Sequence, residues 1–177
     1  MNLRLLALAA VLASGASSVA LAQATSSQTT TSTGTIFQPI VLAKNSDLSF
    51  GTVVRPAAST GTVVIAAADG ARTLTGAGAL ITGPGSQATP GRATYTVTGE
   101  GGQAFSITVP ASFNMTRVGG SETLAVTLTS TATSGNLSGA LGSAGTLAFG
   151  VGGSIPIAVA TATGAYTGTF AVTVTYN

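Results

Sequence analysis

The 177-residue chain contains no cysteine, no histidine and no tryptophan, and only 6% of its residues are charged. Each absence removes a class of chemistry. Without cysteine there is no disulfide, so the fold must hold by packing and sheet hydrogen bonds alone. Without histidine there is no imidazole base, no Ser-His-Asp triad and no histidine-ligated zinc. Ordinary soluble proteins carry about 25% charged residues. Here Lys44 is the only lysine, the arginines are scattered, and no charged side chain follows Glu122. Nucleic-acid binding needs clustered lysine and arginine, so none is expected despite the basic balance of six cations to four anions. The missing tryptophans and the small number of tyrosines leave little for an aromatic sugar-binding platform.

The N-terminus begins with Asn2 and Arg4, continues with an apolar stretch from Leu5 to Leu12, and reaches the small-residue pattern Ala20-Leu21-Ala22. That order is the architecture of a secretory signal peptide, with cleavage expected after Ala22. The apolar run is too short for a membrane span of about 20 residues, so no stable span is expected. Export to the periplasm, cell surface or medium follows from this assignment. Residues 23–35 read QATSSQTTTSTGT. They lack apolar periodicity and offer too little hydrophobic surface to offset ordering entropy, which predicts a flexible polar leader. The folded domain is expected over residues 36–177, long enough to bury roughly 70% of its unfolded surface.

From Ile36 onward the hydrophobic period is two. Ile36, Ile40 and Leu42 share a register, with Pro39 nearby suggesting an edge strand or a bulge. Further sets are Val63 and Ile65; Tyr95 and Val97; Phe105, Ile107 and Val109; Leu124, Val126 and Leu128; Leu147, Phe149 and Val151. The last is Phe170, Val172, Val174 and Tyr176, with Ala171, Thr173 and Thr175 facing the other way. Alternate residues of a strand line one face. Punctuation such as Asp69-Gly70, Gly83-Pro84-Gly85, Pro90-Gly91 and Gly119-Gly120 separates the sets. Many short strands between such turns predict an all-β antiparallel sandwich.

The candidates for chemistry have plain readings. Gly76-Ala77-Gly78 lacks the third glycine and following helix of a dinucleotide site and reads as a turn or bulge. The four carboxylates are Asp47, Asp69, Glu100 and Glu122. A glycosidase needs two within about 10 Å, but Asp69-Gly70 reads as a turn and Glu100, among Gly99, Gly101 and Gly102, as a loop tip. Asp47, near Asn45, reads as a turn cap or a weak calcium ligand. The N-x-S/T matches at Asn114 and Asn136 are what a threonine-rich chain produces by composition. No catalytic residue, cofactor or metal site is assigned, and the chain is not expected to be an enzyme.

Two segments carry a resemblance. One is Asp47-Leu48-Ser49-Phe50-Gly51 with Gly61-Thr62-Val63-Val64-Ile65; the other runs from Gly164 to Asn177 as GAYTGTFAVTVTYN. With Val97-Thr98-Gly99 and Ile107-Thr108-Val109-Pro110, they resemble an uncharacterised family of secreted proteobacterial sandwich domains, similar to spore coat protein U and more distantly to chaperone–usher pilins. The resemblance covers about residues 36–177. It implies an immunoglobulin-like sandwich and a structural subunit of a surface fibre or coat. Pilins carry a glycine fourteenth from the C-terminus and a penultimate tyrosine, which match Gly164 and Tyr176. By the same resemblance Phe170, Val172, Val174 and Tyr176 form the strand that docks on a periplasmic chaperone or a neighbouring subunit, with an usher as the assembly partner. The chain departs from pilins in having no cysteine and no bulky alternating residues in its leader. The alternative is a monomeric surface or periplasmic binding module, such as an adhesin. Independently of the resemblance, an uncharged terminal strand with four alternating apolar side chains needs covering, either by its own sandwich or by another chain.

Overall fold

The computed structural model describes residues 25–177. The expected signal peptide and its cleavage after Ala22 lie outside the described residues. Residues 25–35 carry no regular secondary structure and are exposed. Residues 36–177 form a separate compact unit.

That unit is all-β. Its strands are β1 (Val41–Ser46), β2 (Val53–Val54), β3 (Thr60–Ile65), β4 (Arg72–Gly76), β5 (Ala79–Leu80), β6 (Ala93–Glu100) and β7 (Ala104–Thr108). They continue with β8 (Ser112–Arg117), β9 (Thr123–Ser130), β10 (Ser134–Asn136), β11 (Ala144–Ala158), β12 (Tyr166–Thr167) and β13 (Thr173–Tyr176). The one helical turn among the described residues is the 3-10 turn Gly83–Gly85, the Gly-Pro-Gly read as punctuation. Every strand pair is antiparallel.

The main sheet runs β1-β6-β11-β9-β8-β12, with β3 also on β11 and β4 beyond it. A three-stranded sheet, β10-β7-β13, covers part of it, and β2 pairs β5 in a short ribbon. The long β11 organises this arrangement. On one side its first half, to Val151, pairs β6; from Gly153 its second half pairs β3; on the other side it pairs β9. The exchange falls in Gly150-Val151-Gly152-Gly153. A Cβ on Gly152 would overlap the Ile65 carbonyl oxygen and the Ala67 amide, and one on Gly150 the Ala67 carbonyl oxygen. Glycine is required there because two backbones approach closely.

The predicted period-two sets form the core. Val63, Ile65, Val97, Phe105, Val126 and Val151 are fully buried, and Tyr95 stacks on Phe149 at 5.2 Å. The first set is shorter than expected. β1 begins at Val41, and Ile36 is 93% exposed, because the Pro39 nitrogen has no proton for a ladder. β1 does form an edge of the main sheet, as Pro39 suggested, and its register shifts further along, between Lys44 and Ser46.

Candidate functional site

The terminal segment is the candidate site, and the fold divides it in two. Tyr166 and Thr167 pair with Arg117 and Thr116 of β8 in the main sheet. Thr173–Tyr176 pair with Thr108–Phe105 of β7 in the small sheet. Residues 168–172 cross between the sheets without a ladder. Six positions separate Thr167 from Thr173 but eight separate Thr108 from Thr116, so the bend at Val109-Pro110-Ala111 takes up two extra residues. Gly168 sits inside this corner, where a Cβ would meet the Asn114 carbonyl oxygen at 2.7 Å.

The expected alternation persists through the corner. Phe170, Val172, Val174 and Tyr176 are half-buried against the core, while Ala171, Thr173 and Thr175 are exposed. Phe170 packs on Phe113 at 5.1 Å. Gly164 lies apart from this face, in the loop before β12. Its φ is +145°, and a Cβ would meet Arg117 Nε at 2.7 Å, while that same Nε donates to the Thr163 carbonyl.

β13 is an edge strand. The Asn177 amide donates to the Ala104 carbonyl of the β7 side. Partner bonding alternates along an antiparallel pair, so Thr173 and Thr175 also bond inward, and Val174 and Tyr176 turn their backbone N–H and C=O to the free edge. β1 lies alongside β13, yet no ladder joins the two.

The structure corrects the placement of Glu100. It is no loop tip. It is the last residue of β6 and only 2% exposed. Its Oε1 accepts from the Gly142 amide and its Oε2 from the Gln38 amide, at 3.1 Å. Its own amide donates to Tyr176 Oη at 2.6 Å, and that hydroxyl donates to the Gln38 carbonyl at 3.0 Å. Gln38, Glu100 and Tyr176 therefore close a ring of three hydrogen bonds. Gly99 makes room for it, since a Cβ there would overlap the Tyr176 hydroxyl. Gly101 and Gly102 donate to the Ser143 and Leu137 carbonyls. The glycine-flanked glutamate is thus a socket for the terminal tyrosine. Nothing local in the sequence distinguishes such a socket from a turn.

The other carboxylates serve local roles. Asp69 Oδ1 accepts from the Ala71 amide, Asp47 pairs with Lys44 at 2.6 Å, and Glu122 pairs with Arg117 at 3.3 Å. The Glu122 carboxyl is held below its usual range, first by its own backbone amide and, more weakly, by Arg117. No group of three or more potential metal ligands occurs among the described residues, and no helix among them is long and apolar enough to cross a membrane. A largely apolar hollow of about 610 Å³ opens between the Leu48–Val53 loop, the Met115, Leu124, Ile155 and Ile157 side chains and the start of the terminal segment at Gly164–Tyr166.

Residues 40–176 match the model of one protein family, described as a domain of unknown function (DUF4402). No curated protein and no solved structure matches the chain.

Proposed function

The chain belongs to the DUF4402 family, and we propose that it is a non-enzymatic, exported structural subunit, pilin-like or coat-like, that assembles outside the inner membrane by adding a strand to the free edge of β13. One observation carries this reading. Sheet edges in monomeric proteins are protected by charge, bulges or brevity. β1 carries Lys44 and a register shift, β4 carries Arg72, and β2, β5, β10 and β12 have three residues or fewer. Among the described strands, β13 is the one longer edge with neither charge nor bulge. Its apolar face is only half covered, and main-chain bonds from an added strand would complete the ladder at Val174 and Tyr176.

The test is a lysine at an outward position of this edge. Thr175→Lys should leave the melting temperature of the monomer within a degree or two, since exposed changes cost under about 0.5 kcal/mol, and should abolish assembly seen by sedimentation. The wild-type protein should assemble alone or with a cognate chaperone and usher. A wild type that stays monomeric at high concentration with those partners present overturns the reading. The apolar hollow beside Leu48–Val53 then favours the second reading, a monomeric surface or periplasmic binding module.

A further inference from the structure

We infer that residues 36–40 are a strap that latches shut the edge of β13, so that the subunit is held closed until the strap is released. This rests on the assembly reading above and names its regulation. The strap joins the site at two points. The Gln38 amide donates to Glu100 and its carbonyl accepts from the Tyr176 hydroxyl, and the Phe37 ring meets the Tyr176 ring edge-on at 5.9 Å. From there the chain runs on as β1, beside β13 and unpaired with it. An incoming strand that bonds Val174 and Tyr176 must pass the strap, whose Phe37 and Gln38 lie on Tyr176, while β1 itself stays paired with β6.

The holding contacts are few and releasable. Gln38 is exposed, Phe37 is 45% exposed, and Ile36 and Val41 point apolar surface at solvent. No ladder must break for the strap to leave. Glu100 is the fixed part of the latch. The Gly142 amide still holds its carboxylate when Gln38 departs, so the socket keeps its shape. A buried carboxylate that lost every partner would be costly; this one retains a donor in both states.

Tyr176→Phe removes the hydroxyl and with it two of the three ring bonds, while the aromatic ring stays. Hydrogen exchange of the bonded amides at this site, Gln38 in the strap and Thr173 and Thr175 in β13, should quicken about tenfold or more, given the typical worth of two hydrogen bonds. Assembly should also begin sooner than in the wild type. Phe37→Ala loosens the strap from its own side, leaves Tyr176 in place, and should move both readouts in the same direction. Unchanged exchange in both variants overturns the latch. Faster exchange with unchanged or slower assembly overturns its role as a gate. A wild type that never assembles overturns the assembly reading itself, and that outcome is visible before either variant is made.

Discussion

Gly152 shows how closely single positions are specified. A methyl group there would meet the backbone of Ile65, Ala66 and Ala67, which no side-chain rotation can clear. Gly152→Ala should therefore destabilise the domain by more than about 2 kcal/mol, as overpacking against rigid backbone does. Gly91→Ala is the control, because a Cβ there meets nothing within 4 Å. It should be nearly neutral in the same urea titration. The arginines follow another rule. Arg55, Arg72, Arg92 and Arg117 each donate to carbonyls of a neighbouring segment. Arg72 serves three, on Phe50, Thr52 and Ile81. Arg72→Met should cost about 1–3 kcal/mol through the carbonyls it strands. Arg72→Lys should recover little, because an ammonium lacks the planar fork that reaches three acceptors. Thermal unfolding of the pair checks both statements. None of this was legible in the sequence, where scattered arginines look like solubilising charge.

At the level of elements, the period-two sets held most of the buried core, because a half-buried strand writes its burial directly into alternation, but they missed Phe50, Ala93, Leu137, Ile155 and Ile157. The sequence was silent on partners. Glu100 lies 62 positions from Gln38 and 76 from Tyr176, and local turn chemistry made Gly99–Gly102 look like an exposed loop. Likewise, one alternating run from Phe170 to Tyr176 concealed a passage between two sheets, since alternation survives a corner while ladder partners change. The fold orders the elements by stability. β11 touches β6, β3 and β9, and its centre is buried from Phe149 to Gly153. β12 and the β2–β5 ribbon are two residues long. Native-state hydrogen exchange should find the slowest amides in Val151–Ile155 and their partners in β9 and β3, and the fastest in β12 and the ribbon.

The whole molecule has few ways to respond to pH. No histidine or cysteine titrates between about pH 5 and 9. At the acid end, the depressed Glu122 carboxyl contributes stability above its unfolded value that is lost as pH falls through the folded one. At the alkaline end, burial raises the Tyr95 phenol. Its contribution is complete below the unfolded value near 10 and lost as pH rises through the folded one. The melting temperature should therefore be flat across the middle of the range and fall at both ends. A step near pH 6.5 would contradict this. Low charge also predicts weak dependence on salt.

Tyr176 has one more consequence, and it concerns time. Its hydroxyl bonds Gln38, 138 positions earlier, and β13 completes a sheet begun at β7. A chain delivered N-terminus first presents β7 well before β13, so the first part of this domain waits for the last strand. Until then β7 has a bare flank, the Gly99 socket is empty, and the Gln38 amide and carbonyl have only water. The β7 flank and the Gly99 socket close only when Tyr176 arrives, and a chain that lacks it leaves both open together.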